Sequence, residues 1–304
     1  MTNKTEIIFT DLDLDGCCSY LIYTWFKQTK PKAVTLKVSN IREKLLGWLN
    51  YNKIEDYKRV YFFDLDTTDI KDLIDKENVI IFDHHKSHED NYSSAKTFIN
   101  TDQTSCSKHI YQTLRHIYPN INLTKEQKKL IAFADDYDCY ELKYPESNKL
   151  NFYLWYKNGD KLQNFISDFE NGFFGFTNEQ NKIISYHFYR FKKLRDTIDL
   201  FKAKLPIAGK EYIFISTFAN EYINDLGQYI VDTYECDVCM MINLKNNRVY
   251  LRRNRNIDFN LSKFAKKICD GGGHEYAAGG VLNNNVLSLS KQFEPLNRNI
   301  VYSG

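Results

Sequence analysis

Acidic and imidazole side chains follow three apolar runs of the sequence, and each run predicts a β-strand. The clusters are Asp11, Asp13 and Asp15; Asp64; and Asp83, His84 and His85, after strands that reach Phe9, Phe63 and Phe82. Open parallel sheets bind ligands outside the carboxyl ends of their strands, so the three clusters should meet at one edge. Carboxylates and imidazoles gathered there could hold two cations that promote phosphoryl displacement.

The first cluster has a carboxylate at every second position, which an extended segment would point in one direction. Such carboxylates repel one another unless a cation or water lies between them. The pattern Asp-x-Asp-x-Asp-Gly also opens an EF-hand calcium loop, but Ile22 stands where that loop requires Glu. The cluster also follows a strand rather than a helix, and we therefore assign it to a different kind of metal site.

The second cluster combines a carboxylate with two adjacent imidazoles, Asp83, His84 and His85. A carboxylate beside a ligating histidine can fix the tautomer of its ring. Mixed oxygen and nitrogen ligation favours Mn²⁺ over Mg²⁺, although Mg²⁺ remains an alternative. Asp64 and the pair Asp135/Asp136 could complete the ligand set, and the spacing does not decide between Asp135 and Asp136.

A glycine-rich segment lies far downstream, at Gly271, Gly272 and Gly273, and His274 follows it. Consecutive glycines allow the backbone to approach a ligand closely and to present N–H groups to an anion. His274 and Arg252 could add positive charge and hydrogen bonds to a phosphate. A flexible loop without a ligand is the alternative interpretation of this segment.

The elements that must position these residues alternate between strand and helix over the first eighty positions, which predicts a parallel sheet covered on both sides. Helical patterns follow over 105–169 and again over 178–204, and the alternation restarts beyond Pro206, with a hairpin at 238–252. We predict an α/β protein with a catalytic domain over 1–176, a helical linker over 177–205 and a smaller α/β substrate-binding domain over 206–304.

The composition excludes some classes of function. A net charge of +2 over 304 residues does not favour a long track along duplex DNA, and a small substrate held by local charges fits better. The first residues resemble no signal peptide, no apolar run approaches membrane-spanning length, and seven scattered cysteines favour reduced thiols. We expect a cytoplasmic protein without membrane association. The 15% of aromatic residues serve core packing or, alternatively, base stacking.

Taken together, the motifs resemble those of the DHH superfamily of phosphoesterases with a C-terminal DHHA1 subdomain. The resemblance spans residues 6–282 and, within the superfamily, favours the small NrnB-like oligoribonucleases. It implies an active site in the cleft between the two domains and two Mn²⁺ ions. One ion would be bound by Asp11, Asp13 and Asp64, and the other by Asp15, Asp64, His85 and either Asp135 or Asp136.

The resemblance also implies catalytic roles for His84, Asp83 and Asp64. Substrate phosphate would be bound by Arg252, Gly271, Gly272, Gly273 and His274. Two positions depart from the pattern. Small members often have His where Asp11 stands, and the glycine run often begins one residue earlier, at the position of Asp270.

The function implied is hydrolysis of short single-stranded RNA or DNA oligonucleotides to mononucleotides by a monomer or homodimer. Hydrolysis of linear or cyclic dinucleotides, or of 3′-phosphoadenosine 5′-phosphate, is an alternative from the same class. A manganese pyrophosphatase shares the first domain, but the Gly-Gly-Gly-His element argues against it. A nucleotide-binding module without activity would require missing ligands, and none is clearly missing.

Overall fold

The computed structural model describes residues 4–102, 104–273 and 275–296, and the chain divides into two compact units, Met1–His187 and Phe188–Gly304. Each unit has a sheet of its own. The division falls within a helix, Asn178–Thr197, in the segment predicted as the linker. The three-part division into 1–176, 177–205 and 206–304 stays a prediction.

The first unit contains a parallel sheet, as the alternating pattern predicted, and the sheet has five strands. The strands are β1 (Glu6–Asp11), β2 (Lys32–Leu36), β3 (Arg59–Phe63), β4 (Val79–Asp83) and β5 (Lys96–Ile99), in the spatial order β2-β1-β3-β4-β5. Phe9 pairs with Phe62, and Phe63 pairs with Phe82. These central strands are buried because helices cover both faces, and they therefore read as nearly continuous apolar runs.

The helices of the first unit lie around this sheet and continue into the segment at the division. They are α1 (Leu14–Lys27), α2 (Ile41–Leu49), α3 (Lys71–Ile74), α4 (Cys106–Ile117), α5 (Lys125–Asp138), α6 (Pro145–Tyr156), α7 (Lys161–Phe169) and α8 (Asn178–Thr197). A capping box begins α5, in which Thr124 and Gln127 bond reciprocally to each other's backbone N–H.

The start of α1 corrects the extended conformation predicted for the first acidic cluster. Only Asp11 lies in a strand, while Asp13 is the N-cap of α1 and Asp15 is in its first turn. The helix begins at Leu14, because the Asp13 side chain accepts a hydrogen bond from the N–H of Gly16. The three carboxylates therefore do not alternate along one strand.

The second unit contains a mixed sheet with helices beside it, and the predicted α/β class is confirmed for both units. After α8 its elements are β6 (Phe201–Ile207), β7 (Lys210–Phe218), α9 (Ile223–Thr233), β8 (Val238–Asn243), β9 (Arg248–Arg253), α10 (Leu261–Cys269), β10 (Gly272–Gly273), β11 (Ala277–Val281), α11 (Asn284–Ser290) and β12 (Glu294–Pro295). The spatial order of the strands is β10-β11-β9-β8-β7-β6-β12, and β8 and β9 form the predicted hairpin.

One boundary in this unit differs from the prediction. The helical pattern was extended to Lys204, but α8 ends at Thr197 and β6 begins at Phe201. Ala203 and Leu205 are buried at alternate positions of β6, and the strand pairs with β7, so tertiary pairing overrides the helical spacing. Among the described residues, none of the helices is long and apolar enough to cross a membrane.

Candidate metal centre

Side chains from β1, β3, β4 and two helices converge at the carboxyl edge of the parallel sheet. Nε2 of His84, directly after β4, lies 3.3 Å from a carboxylate oxygen of Asp64. The same atom lies 3.9 Å from Asp15 in α1 and 3.7 Å from Asp138 at the end of α5. One imidazole is therefore surrounded by three carboxylates that are distant in sequence.

Asp64 is held in an unusual backbone conformation directly after β3. Its φ of 56° lies in the left-handed region, and its N–H donates to the carbonyl of Phe82 at 3.0 Å. A residue other than glycine adopts this conformation at a cost of about 1–3 kcal/mol, and functional sites are among the places where proteins tolerate such a cost. Burial, together with the charges of Asp13 and Asp15, raises the pKa of Asp64 well above its ordinary value.

Asp15 lies against the N-terminus of α4. Its two carboxylate oxygens accept hydrogen bonds from the N–H groups of Cys106, at 2.7 Å, and Ser107, at 2.9 Å. The positive end of a helix dipole favours an anion at this position. Burial nevertheless raises the pKa of Asp15, although the charge of His84 acts in the opposite direction.

Asp83 is fully buried and bonds to two imidazoles. One carboxylate oxygen lies 2.6 Å from Nδ1 of His85, and the other lies 2.5 Å from Nδ1 of His88. Burial alone would raise the pKa of Asp83, but the hydrogen bonds to His85 and His88 outweigh it and hold the pKa well below its usual range. Asp83 thus fixes the orientation of the His85 ring instead of facing the carboxylates around His84.

Asp11 and Asp13 stand at the entrance to α1. The Asp11 carboxylate accepts a hydrogen bond from the N–H of Leu12, and Asp13 caps the helix. Burial and the neighbouring Asp13 charge raise the pKa of Asp11 to about 7, while the charges of His85 and Lys37 lower it. The pKa of Asp11 therefore responds to charges of the same cluster.

The pair Asp135 and Asp136, predicted to supply a ligand, bonds to other groups. Asp135 accepts from Lys108 at 2.6 Å and from the N–H of Ser105. Asp136 is buried and accepts from Ser147 Oγ at 2.6 Å and from two backbone N–H groups, those of Lys143 and Tyr144. The structure does not bring either carboxylate to His84, and it places Asp138 there.

The sequence interpretation missed two residues, Asp138 and His88. Asp138 lies three residues beyond Asp135 in α5, and helical spacing puts residues three apart on one face of a helix. That spacing is the signal that could have added Asp138 to the pair as a candidate ligand. His88 follows His85 by three positions, but the sequence contains no signal that Asp83 would bond to both rings.

The donor set fits divalent cations. Two overlapping groups have ligand atoms within 4.8 Å of one another, Asp64 with His84 and His85, and Asp15 with His84 and Asp138. Burial raises the pKa of Asp138 to about 8, and the Asp15 charge adds to the increase. Buried carboxylates whose ionised forms are destabilised in this way gain stability from a bound cation, and oxygen with imidazole nitrogen suits Mn²⁺ and related ions.

The predicted phosphate-binding residues lie in the second unit. Arg252 is in β9, paired with Cys239 on one side and Ala277 on the other. Gly273 has a φ of 134°, and a Cβ on Gly271 would overlap the carbonyl oxygen of Gly279. Gly271 and Gly273 are therefore required for the close approach of β10 to β11, whatever else they contact. His274 lies outside the described residues.

The fold is similar to that of several solved structures, although no protein-family model and no curated protein matches the sequence. A pGpG-specific phosphodiesterase, PggH, from Vibrio cholerae has a TM-score of 0.57 at 11% identity, over 95% of this chain and 96% of that one. An exonuclease RecJ bound to manganese has a TM-score of 0.61 at 12% identity, over 95% and 88% of the two chains.

A third similar structure is described as a DHH domain. It is the DHH domain of a protein described as a member of a family of ribosomal proteins, with a TM-score of 0.62 at 13% identity over 91% of this chain and 82% of that one. The placement among NrnB-like oligoribonucleases stays a prediction. The chain has the fold of the DHH-domain proteins, as its ordered motifs predicted.

Proposed function

We propose that the chain is a phosphoric ester hydrolase that degrades short single-stranded oligonucleotides to mononucleotides with the help of divalent cations. The observation that carries the proposal is the convergence of Asp15, Asp64 and Asp138 around His84 at the carboxyl edge of the sheet. Buried acids that repel one another cost stability, so their presence favours a role in binding cations.

Residues of the first unit would hold two ions. We assign Asp11, Asp13 and Asp64 to one ion, and Asp15, Asp64, His85 and Asp138 to the other, with Asp64 shared. Asp138 replaces the pair Asp135/Asp136 because only its carboxylate lies near His84. When bound, such ions supply positive charge at the attacking and leaving oxygens of a phosphoryl displacement.

The remaining residues would orient a metal ligand or contact the substrate. The Asp83 carboxylate, itself bonded to His88, would hold the His85 ring in one orientation and one tautomer. His84 would contact the scissile phosphate. In the second unit, Arg252, Gly271, Gly272, Gly273 and His274 are proposed to bind substrate phosphate.

Hydrolysis of a linear or cyclic dinucleotide is the second candidate. It is favoured by the likeness of the fold to a structure described as a pGpG-specific phosphodiesterase, which this chain matches over nearly its whole length. The likeness to an exonuclease RecJ bound to manganese favours the first candidate and the choice of metal. Mn²⁺ and Mg²⁺ are both compatible with the donor set.

The test is release of mononucleotide from end-labelled RNA and DNA, from dimers to long oligomers, with Mn²⁺, with Mg²⁺ and with chelator. We expect activity with Mn²⁺, highest on the shortest substrates, and none with chelator. Asp64→Ala should abolish it, whereas Asp56→Ala at an exposed position should leave it unchanged. Cleavage of dimers only would select the dinucleotide candidate, and activity on pyrophosphate alone would reject both candidates.

A further inference from the structure

A cavity of about 660 Å³ lies in the first unit, apart from the residues of the metal centre. It is lined by the end of α6, the loop to α7 and one face of α8, and its side chains include Trp155, Tyr156, Lys161, Lys182, Tyr186 and His187. Its volume is in the range of small-molecule sites, about 300–1,000 Å³. Neither the proposed reaction nor the sequence motifs assign it a role.

The charge of the cavity is positive. Three lysines line it, and none of the described lining residues is acidic. Lys157 is neutralised by Asp168 at 2.6 Å, but within the described chain no carboxylate lies within ion-pair distance of Lys161. The ammonium of Lys161 bonds instead to the backbone carbonyls of Leu154 and Trp155. A half-buried cation without an anion is the arrangement that a bound phosphate would complete.

Burial supports this interpretation of Lys161. Burial lowers the pKa of Lys161, and the nearby positive charge of Lys37 lowers it further. The ammonium also lies 5.6 Å from the centre of the Trp155 ring. An incoming anion would therefore relieve an electrostatic cost that the protein alone does not remove.

Aromatic rings form the walls of the cavity. Tyr156 stacks on His187, with ring centres 4.0 Å apart and planes at 15°. Tyr186 stands edge-on to the same histidine at 5.0 Å, and 57% of its surface is exposed. Exposed aromatic faces beside cations are the features on which proteins stack nucleobases while they bind the backbone phosphate.

A further positive charge, Lys37, lies at the sheet edge of the metal centre. It directly follows β2, in which Leu36 pairs with Asp11 of β1. Its charge also lowers the pKa of Lys161. Positive charges at the cavity and at this sheet edge would both attract the phosphates of an oligonucleotide.

We propose that this cavity is a nucleotide subsite, in which Lys161 and Lys182 bind a phosphate and Tyr186 and Trp155 stack a base. The inference rests on the proposed function in taking this nucleotide to be part of an oligonucleotide substrate. A free mononucleotide offers the same chemistry, and the experiments below distinguish the two sources.

Photolabelling with 8-azidoadenosine monophosphate in chelator tests the site without any hydrolysis. We expect adducts within residues 155–161 or 182–187, competed by AMP and not by adenosine.

Lys161→Met should weaken AMP competition about 10- to 100-fold, the range expected for loss of a charged hydrogen bond. Tyr186→Ala should weaken it by about fivefold or more. Lys129→Met and Tyr51→Ala, at exposed positions elsewhere in the unit, are the matched controls. Adducts found only outside these segments would overturn the proposal.

Kinetics then assign the source of the nucleotide. If the subsite binds substrate, Lys161→Met should raise KM for a trinucleotide about tenfold or more and leave hydrolysis of bis(p-nitrophenyl) phosphate unchanged. If Lys161→Met leaves KM unchanged while the wild-type protein is still labelled, the site binds free nucleotide and not the substrate. An equal loss on both substrates would contradict a subsite role and show damage to the metal centre. Labelling without any hydrolase activity would reject the proposed function alone.

Discussion

Oδ2 of Asp138 lies 3.7 Å from Nε2 of His84, whereas the carboxylates of Asp135 and Asp136 on the same helix bond elsewhere. The three acids differ because α5 ends at Asp138, and its last turn directs each side chain toward a different neighbour. Asp135 faces α4, and Asp136 accepts from the loop that leads into α6. Of these three acids, Asp138 alone is placed to share a cation with Asp15.

Asp138→Asn should lower kcat on a short oligonucleotide by on the order of 100-fold or more, because one carboxylate ligand is lost. Asp135→Asn removes the ion pair with the half-exposed Lys108 but keeps an oxygen that can accept from the N–H of Ser105, and it should change kcat less than about threefold. Both variants are compared in steady-state assays with Mn²⁺, and Mn²⁺ affinity is measured by calorimetry. Equal losses in the two variants would contradict the assignment of Asp138.

His88→Gln tests whether the second imidazole on Asp83 positions the first. The substitution removes a 2.5 Å hydrogen bond to the buried carboxylate and frees Asp83 to move away from His85. We expect Mn²⁺ affinity to fall about 10- to 100-fold, the range typical for loss of a group that orients a ligand. His116→Gln, at an exposed position, is the control. An unaltered Mn²⁺ titration in a folded His88 variant would rule out this role.

Gly16→Ala and Gly47→Ala should have opposite effects on stability. A Cβ at Gly16 would overlap the carbonyl oxygen of Asp11 and lie 2.9 Å from Thr10 Oγ1, so the start of α1 and the adjacent Asp15 must shift. A Cβ at Gly47, in the exposed middle of α2, meets nothing within 4 Å. Urea unfolding should show a loss of about 1–3 kcal/mol for Gly16→Ala and a gain of about 0.5–1 kcal/mol for Gly47→Ala. A stable, active Gly16 variant would show that the turn adapts.

The pH dependence of stability should include a contribution from Asp225 in α9. Burial raises its pKa to about 6, from an ordinary value of 3.8, although the Arg252 charge lowers it. The folded state therefore holds the proton more tightly, and stability present below pH 4 is lost as the pH rises to about 6. Urea unfolding between pH 4 and 7 should show that Asp225→Asn loses about 1–3 kcal/mol less unfolding free energy than the wild type over this range. Asp258→Asn, at an exposed position, should leave the slope unchanged, and a wild-type slope in Asp225→Asn would contradict the shift.

Much of the fold could be predicted from local patterns. Apolar runs that end in acids predicted β1, β3 and β4, because buried parallel strands are apolar along their whole length and release polar residues only at their ends. The capping residues of α5 were equally visible, since a capping box is a contact between residues three apart. The helical pattern that continued past Thr197 was misleading, because β6 is defined by its pairing with β7 and not by its own spacing.

The sequence by itself determined that acids and imidazoles would collect at one sheet edge. Short apolar runs locate the ends of the strands, and parallel strands have their carboxyl ends at the same edge. Only the tertiary structure decided which of them meet. Asp138 approaches His84, and Asp83 bonds to both His85 and His88, through contacts between segments that local spacing does not relate. The physical reason is that the partners of a side chain depend on how whole elements pack against one another. That packing decides whether Asp135 or Asp138, about one turn apart on α5, approaches His84, and both positions fit the same helical pattern.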